Sequence, residues 1–546
     1  MSQETDQIIE LGNRAFIEGN LEGALRYYRK ALCIDRCCAV AYYNIANILA
    51  IQSRFDPAER HYRQAIEITP HWPEALNNLA NVLKELGKNS EAMKLYQDAL
   101  TINPLLSEAH NGLGSVYQSE GMIDRAIFHY RKALEINPDY AVAHSNLLLA
   151  LNYSADYSPA QVFNEHKRYA KSFESSSTKG SLRPCGAKRL KIGYVSPDFR
   201  RHSVGYFIEP LLECHDRAAF EVFCYSDVTA PDAITERLRS YVEHWFDTHL
   251  LTDPELYDLI SGHRLDILID LAGHSGYNRL GVFAKRAAPI QITYLGYPNT
   301  TGLKSMDYRI VDVFTDPEGL TDPYYSEQLI RMRQCFLCYA PPNDAPDVGP
   351  PSFVNNGYIT FGSLNNLAKL NDLTLDIWAK VLLETRDSRL LIKSKALNDN
   401  NVKERLMERF KKRGIAPERL ELIGFIKAQR AHLETYNLID IALDPYPYNG
   451  TTTTFEALYM GVPVVTLAGN THASRVGLSI LSNLGLEELV ASNSGEFIVK
   501  AVGISQDKDR LKLLRSSLRR RILDSHLTDK RGFTREIETL LQSACL

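Results

Sequence analysis

Residues 39–72 read AVAYYNIANILAIQSRFDPAERHYRQAIEITPHW, and the pattern of this stretch returns at 73–106 and again at 107–140. The copies therefore follow one another every 34 residues. Three consecutive copies with a single spacing indicate an architecture of stacked repeats. The recurring positions are Ile45, Ala46, Ala58, Tyr62, Ala65 and Pro70; then Leu79, Ala80, Ala92, Tyr96, Ala99 and Pro104; then Leu113, Gly114, Ala126, Tyr130, Ala133 and Pro138.

A period of this length is typical of tetratricopeptide repeats, in which each unit is a pair of antiparallel helices. The small residues let the helices approach, the tyrosine fills the space between them, and the proline ends the second helix. An earlier unit shows the same pattern but carries Arg36 in place of the proline. With a half repeat at Ala141–Tyr153, the sequence predicts a short right-handed superhelix over residues 1–153.

The repeats also suggest a surface for partners. Asn44, Asn78 and Asn146 occupy the same position of the first helix in their repeats, and Gly112 occupies it in the copy at 107–140. An asparagine amide can bind the backbone of an extended peptide through two hydrogen bonds. We therefore expect protein partners to bind along a concave face, with solvated polar side chains as the equally weighted alternative.

The pattern changes after the repeats. Lys171–Ala187 reads KSFESSSTKGSLRPCGA and predicts a boundary within a linker at 154–188. Short apolar runs that alternate with helical stretches then predict two doubly wound α/β lobes, at 189–350 and 351–546, with a final helix after about Leu523 that crosses back. The runs are LKIGYVS, FEVFCYS, LDILIDLAG, IQITYLG and MDYRIVD, followed by GYITFGS, SRLLIKS, RLELIGF, LIDIALD and VPVVTLAG.

The most informative segment for chemistry is Asp444–Glu456, DPYPYNGTTTTFE. It ends a strand, turns at Asn449 and Gly450, and enters a helix with four threonines in its first turn. Threonine hydroxyls and the unpaired N–H groups of a first turn make an anion site, so we predict a diphosphate cradle. A simple helix cap is the alternative, although one threonine would suffice for it. The residues assigned to this diphosphate-bearing ligand are Asn449, Gly450, Thr451, Thr452, Thr453 and Glu456.

Four further residues follow predicted strands and are candidates for catalysis. Lys369, in FGSLNNLAK, can neutralise charge on a departing phosphate, and His202, in DFRRHSVG, can hydrogen-bond or deprotonate an acceptor hydroxyl. His274 and Tyr297 are predicted on the acceptor side, the latter in a substrate loop, GYPNTTG. A solvated lysine, structural histidines and an ordinary loop are the alternatives.

Composition excludes several classes. A formal charge of −4 gives no global attraction to nucleic acid, and no stretch has the length and hydropathy of a membrane span. The N-terminus lacks a secretory signal, so we expect a cytoplasmic address, with the nucleus as the second choice. Cys335 and Cys338 have the spacing of half a zinc site, but no second pair supports it. With Asp507-Lys-Asp509 in a charged helical run, we expect a transferase without a metal or other cofactor.

Taken together, the motifs resemble those of glycosyltransferase family 41, which comprises the protein O-linked N-acetylglucosamine transferases and the SPINDLY proteins. The matching stretches are YVSPDFRRHSVGYF, APIQITYLGYPNTTG, FGSLNNLAKL, DPYPYNGTTTTFEALYMGVPVVT and THASRVG. The resemblance extends from the repeats to about residue 525. It implies a GT-B pair of lobes and an inverting transfer of a sugar from a nucleotide to a Ser or Thr hydroxyl.

The resemblance also implies roles for single residues. His202 matches a cleft histidine near acceptor and sugar, and Lys369 matches the lysine that stabilises the leaving diphosphate. Thr452 and Thr453 match the phosphate-binding threonines. Three further correspondences concern the donor: Asn366 stands for a donor-contacting glutamine, Glu456 for a ribose-binding aspartate, and His432 for a histidine beside the base.

Three departures from the family pattern leave the sugar open. Thr451 stands where the animal N-acetylglucosamine enzymes carry histidine, Glu456 replaces aspartate, and the stretch 424–431 does not reproduce their sequence. Thr451 and Glu456 are more like the SPINDLY proteins, some of which resemble fucosyltransferases. UDP-N-acetylglucosamine is the first expectation and GDP-fucose the second. An inactive repeat scaffold and a transferase acting on lipid or polysaccharide are the rival hypotheses.

Overall fold

The structure is a computed structural model, and it describes residues 3–173 and 189–545. Its contacts divide the chain into two units. One comprises the residues up to Ala143 together with Asn398–Lys403, and the other comprises His144–Leu397 and the chain from Glu404 onward. Each unit is described in turn.

The first unit consists of helix pairs, as the repeat pattern predicts. The residues at the recurring positions are buried: Ala58, Ala92 and Ala126 are 0% exposed, and the tyrosines four residues later fill the space between paired helices. The helices are α1 (Gln3–Ile17), α2 (Leu21–Ile34), α3 (Ala39–Ile51), α4 (Phe55–Ile68), α5 (Pro73–Glu85), α6 (Asn89–Ile102), α7 (Ser107–Ser119) and α8 (Ile123–Ile136).

The asparagines predicted to bind peptide are hydrogen-bonded within the repeats. The side-chain amide of Asn44 donates to Asn13 Oδ1 at 3.1 Å, and that of Asn78 donates to Asn47 Oδ1 at the same distance. Each acceptor also takes a bond from the buried tyrosine of its own repeat. These two amides therefore join successive repeats, which leaves less of their capacity for a peptide than the sequence suggested.

The second unit begins with a helix pair that corrects the predicted linker. Asn146 lies in α9 (Ala141–Tyr153), which has the bounds of the predicted half repeat, and α10 (Pro159–Lys171) follows within the stretch 154–188. Ser158 starts α10 with a capping box, in which its hydroxyl accepts from Gln161 N–H, and a proline occupies the first turn. These signals outweigh the linker-like composition downstream, and 174–188 lies outside the described residues.

The first α/β lobe contains a seven-stranded parallel sheet in the order β3-β2-β1-β4-β5-β6-β7. The order reverses between β1 and β4, which creates a crevice at their carboxyl ends. The strands are β1 (Leu190–Ser196), β2 (Phe220–Ser226), β3 (His244–Asp247), β4 (Ile267–Asp270), β5 (Ile290–Thr293), β6 (Tyr308–Asp312) and β7 (Gln328–Met332). The helices are α11 (Ser203–Cys214), α12 (Ala233–Ser240), α13 (Asp253–His263) and α14 (Leu280–Ala284).

The second lobe contains a six-stranded parallel sheet in the order β10-β9-β8-β11-β12-β13, which reverses between β8 and β11. Its strands are β8 (Thr360–Ser363), β9 (Arg389–Lys393), β10 (Leu420–Ile423), β11 (Ile441–Leu443), β12 (Val464–Leu467) and β13 (Val490–Ala491). The helices are α15 (Ser352–Asn356), α16 (Asp372–Glu384), α17 (Asn400–Lys411), α18 (Gln429–Glu434), α19 (Thr452–Tyr459), α20 (Val476–Ser482), α21 (Ser494–Gln506), α22 (Lys508–Leu523) and α23 (Lys530–Ala544).

The last helix returns to the first lobe. Glu538 of α23 accepts hydrogen bonds from His215 Nδ1 and from the backbone of Asp216, at 2.9 and 2.8 Å. Each of the ten predicted strands has a counterpart, whereas β3, β7 and β13 were not predicted. Among the described residues, none of the helices combines the length and hydropathy that crossing a bilayer requires.

Candidate active site

The predicted catalytic residues gather where the strand order of each sheet reverses. His202 follows β1, Lys369 follows β8, and the threonine segment follows β11. Ligands of doubly wound sheets bind in the crevice at such switch points. The topology therefore explains why segments far apart in sequence form one site.

The loop between β11 and α19 is fixed by hydrogen bonds of its own residues. Asn449 is fully buried, and its side-chain amide donates to Pro445 O at 3.0 Å. Gly450 N–H donates to Asp444 Oδ1 at 2.6 Å. A Cβ at Gly450 would lie 2.6 Å from Thr454 Oγ1, so only glycine fits without a shift. Asn449 and Gly450, predicted to bind donor, thus shape the loop.

This loop presents the start of α19 with unpaired donors. Thr451 is the N-cap, and its side chain makes no capping hydrogen bond. The backbone N–H groups of Thr452 and Thr453 have no acceptor within 3–173 or 189–545, whereas those of Thr454 and Phe455 donate to Thr451 O. A helix N-terminus with free N–H groups carries partial positive charge and attracts phosphate.

Lys369 lies next to this helix end. Its Nζ donates to the carbonyl oxygen of Asn449 at 2.7 Å and stands 4.4 Å from the centre of the Tyr448 ring. Burial lowers the pKa of Lys369, and the nearby Asp444 carboxylate opposes that shift. Burial in turn raises the pKa of Asp444, and hydrogen bonds from Thr466 and Gly450 oppose that shift. A bound anion would stabilise the charged form of this desolvated ammonium.

Asn366 and its neighbour Asn365 have different roles from those expected. The exposed Asn366 caps the 3₁₀ turn Leu367–Lys369 by accepting from Ala368 N–H at 3.1 Å. It is Asn365, not predicted, whose Oδ1 accepts from Thr453 Oγ1 at 2.9 Å. Asn365 thereby joins the β8 loop to α19, and Asn366 stays available on the surface beside it.

His202 approaches from the first lobe as the N-cap of α11. Its Nδ1 accepts from Val204 N–H at 3.3 Å and lies 3.5 Å from Asp198 Oδ2. The proton of the neutral ring then resides on Nε2, which has no acceptor among the described residues. Burial lowers the pKa of His202, against the attraction of Asp198. With Nδ1 bonded to Val204 N–H, the neutral ring presents Nε2–H to a ligand.

The amino ends of α11 and α19 meet across the cleft. The hydroxyl of Thr452 donates to Ser203 Oγ at 2.8 Å. A Cβ at Gly205 would lie 2.2 Å from Arg200 O, so the loop that carries His202 depends on this glycine. Two helix N-termini and Lys369 thus concentrate positive potential at one place.

A second cluster lies one turn further along α19. His432 Nε2 is 3.0 Å from Glu456 Oε2, and the hydroxyl of Tyr436 donates to the same oxygen at 3.0 Å. Lys393, at the end of β9, places Nζ 2.7 Å from His432 Nδ1. His432 and Glu456 were predicted for the nucleoside, whereas Lys393 and Tyr436 were not. A lysine that ends a strand gives no distinctive signal in a sequence.

The two acceptor-side candidates lie elsewhere, and their prediction needs correction. His274 is 0% exposed, with Nε2 2.9 Å from Thr301 O and Nδ1 3.2 Å from Ser145 Oγ. Tyr297 is 2% exposed, and its hydroxyl meets Asn152 and His166 at 2.9 Å. Helices α9 and α10 cover both side chains. Because their polar atoms are occupied, they hold these helices on the lobe and do not face an acceptor.

These contacts do not test the prediction that the reaction needs no metal. Cys335 and Cys338 are buried free thiols, and burial raises the pKa of both. Within residues 3–173 and 189–545, no group of three or more His, Cys, Asp or Glu side chains is placed to hold an ion. Around the first turn of α19, positive charge comes from Lys369 and the two helix ends.

Comparison with known proteins connects this geometry to a family. The model of glycosyl transferase family 41 matches residues 171–340 and 353–537, and tetratricopeptide models match 37–104 and 107–140. A Petunia hybrida protein, described as a probable UDP-N-acetylglucosamine–peptide N-acetylglucosaminyltransferase SPINDLY, is 40% identical over 407 residues. That alignment covers 73% of this chain and 43% of the relative, so the chain spans less than half the relative's length.

One further relative and one solved structure are also similar to this chain. An Arabidopsis thaliana protein described as the SEC enzyme with the same probable activity is 29% identical over 366 residues, which cover 65% of this chain and 37% of the relative. A solved structure of a mutant Thermobaculum terrenum O-GlcNAc transferase is 39% identical, with a TM-score of 0.89 over 93% of this chain and 98% of that one. This likeness confirms the predicted tetratricopeptide superhelix and GT-B lobes. The chain belongs to glycosyltransferase family 41.

Proposed function

We propose that the chain is an inverting protein O-glycosyltransferase, which transfers a sugar from a nucleotide donor to Ser or Thr of acceptor proteins. The observation that carries the proposal is Lys369, whose ammonium donates to Asn449 O in the loop that leads to the unpaired N–H groups of Thr452 and Thr453. These groups match the charge of a leaving diphosphate. The relatives named as peptide N-acetylglucosaminyltransferases support the same reaction.

The leaving group determines what the site must do. As the acceptor hydroxyl attacks the anomeric carbon, the bond to the diphosphate breaks and negative charge builds on the diphosphate oxygens. The hydroxyl proton passes to one of these departing oxygens. Lys369 exchanges Asn449 O for a phosphate oxygen, and the first turn of α19 supplies two further donors. Such preorganised charge stabilises the transition state more than the ground state. In this scheme His202 Nε2–H binds and orients the reacting groups.

We propose that no metal takes part. Lys369 and the amino ends of α11 and α19 supply the positive charge that a divalent ion supplies in other transferases. The donor that fits first is UDP-N-acetylglucosamine, in line with the relatives' descriptions. GDP-fucose is the second, because Thr451 and Glu456 follow the SPINDLY pattern. The superhelix would then bind the acceptor proteins.

Radiolabel transfer tests the proposal. Purified protein is incubated with a cell lysate and labelled UDP-N-acetylglucosamine or GDP-fucose, and labelled polypeptides are separated on a gel. We expect label from one of the two donors, lost in Lys369→Ala and kept in Lys380→Ala, which removes an exposed lysine of α16. No label from either donor, or equal labelling by Lys369→Ala, would contradict the proposal.

A further inference from the structure

A buried lysine lies at the nucleoside side of the site, apart from the phosphate groups. Lys393 is only 9% exposed, and burial lowers its pKa. Lysine is rarely so buried unless it is paired. Its Nζ lies 2.7 Å from Nδ1 of His432, and the other nitrogen of that ring contacts Glu456. Neither the leaving-group chemistry nor the fold accounts for a charge in this position.

The contacts fix where the proton of His432 resides. An ammonium group has only donors, so His432 Nδ1 must accept from Lys393. The neutral ring then carries its hydrogen on Nε2, which donates to Glu456 Oε2 at 3.0 Å. The hydroxyl of Tyr436 donates to the same oxygen. Lys393 thus controls, through one imidazole, which hydrogen bond reaches the carboxylate.

The carboxylate is held by one oxygen and open at the other. Glu456 is 6% exposed, and its Oε1 accepts no hydrogen bond from the part of the chain that the structure describes. Glu456 follows Thr453 by three residues of α19, a rise of about 4.5 Å. The open oxygen therefore lies one turn from the proposed diphosphate, where a ribose hydroxyl of the donor would be.

We propose that Lys393 is a positioning residue for the donor nucleoside: it fixes the tautomer of His432, so that Nε2–H holds Oε2 of Glu456 and leaves Oε1 for a ribose hydroxyl. This role rests on the proposed function, because it assumes that a nucleoside diphosphate binds along α19. A purely structural lysine is the alternative. Buried charge networks are often no more stabilising than apolar packing, so stability alone gives no reason for one here.

Binding measurements separate the nucleoside from the phosphates. Calorimetry compares UDP, GDP and inorganic pyrophosphate on the wild type, Lys393→Met, Lys393→Arg and Lys395→Met, the last removing an exposed lysine two residues away. We expect Lys393→Met to weaken the wild type's preferred nucleotide by about tenfold or more. Pyrophosphate affinity should stay unchanged, because the threonines and Lys369 remain. Lys393→Arg should restore nucleotide binding, since a guanidinium also donates to Nδ1.

A spectroscopic measurement on the wild type makes the test independent of variant folding. Nitrogen-15 NMR of labelled histidine, with His432 assigned through His432→Gln, reports which ring nitrogen is protonated. We expect Nε2–H for His432 without nucleotide. Protonation of Nδ1 instead would overturn the proposal. If Lys393→Met folds but binds nucleotide as the wild type does, or loses pyrophosphate equally, the role of Lys393 is wrong. If the wild type binds neither UDP nor GDP, the proposed function fails as well.

Discussion

Acid should loosen the contact of α9 and α10 with the first lobe, and His166 is the group that decides this. His166 is 0% exposed, with Nδ1 2.8 Å from Val162 O and Nε2 2.9 Å from the hydroxyl of Tyr297. The carbonyl requires Nδ1–H, so Nε2 accepts and the ring is neutral. The ring also packs 5.2 Å from that of His274. A second proton would therefore place a charge in this buried site and would replace the hydrogen bond that the Tyr297 hydroxyl donates to Nε2.

The magnitude follows from the pKa. Burial lowers the pKa of His166 from 6.5 to about 4. The unfolded chain takes up the proton first, so this contribution is complete above pH 6.5 and is lost as the pH falls towards 4. The difference corresponds to about 3 kcal/mol. His274, whose pKa burial also lowers well below 6.5, acts in the same direction.

Urea unfolding at several pH values between 7.5 and 4.5, followed by tryptophan fluorescence, measures this loss. His166→Gln removes the titrating group while it keeps a polar side chain, so its unfolding free energy should fall by about 2.5 kcal/mol less than that of the wild type over this range. His526→Gln, an exposed histidine, serves as the control. Equal pH dependence in the wild type and His166→Gln would refute the reasoning.

Three further predictions concern catalysis. Lys369→Met should lower the single-turnover transfer rate by about a hundredfold to a thousandfold. An ammonium about 4 Å from a phosphate contributes about 4 kcal/mol at an effective dielectric constant of about 20. A rate within about fivefold of the wild type would contradict this role of Lys369. Gly205→Ala should lower the rate, since its Cβ would lie 2.2 Å from Arg200 O, whereas Gly262→Ala, with open space around it, should not; equal rates would show that the His202 loop tolerates the change. EDTA should leave the transfer rate unchanged, and restoration by Mg²⁺ or Mn²⁺ after a loss would contradict metal independence.

Much of the architecture could be read from the sequence because its signals are local or periodic. The repeats are recognisable from residues such as Ala58 and Tyr62, which recur at the same positions and are buried between paired helices. The residues of the site could be predicted for a topological reason. Lys369, His202 and the threonines each follow a parallel strand, and the switch points of two sheets bring such positions together.

What the sequence did not show depends on contacts between distant segments. His274 and Tyr297 follow strands as His202 does, but only the structure shows that α9 and α10 cover them. Asn366 and Asn365 are neighbours, and only the structure shows that Asn365 contacts Thr453 while Asn366 caps the 3₁₀ turn. Lys393 looks like the ordinary end of a strand. Its importance comes from His432, 39 residues away in sequence.

The central claim is that the first turn of α19 and Lys369 hold the diphosphate of the donor. Crystals of the wild-type protein soaked with UDP and with GDP test it most directly. We expect diphosphate density at the N–H groups of Thr452 and Thr453, with Lys369 Nζ moved from Asn449 O to a phosphate oxygen. Diphosphate bound away from α19, or Lys369 still bonded to Asn449 beside a bound nucleotide, would contradict the account.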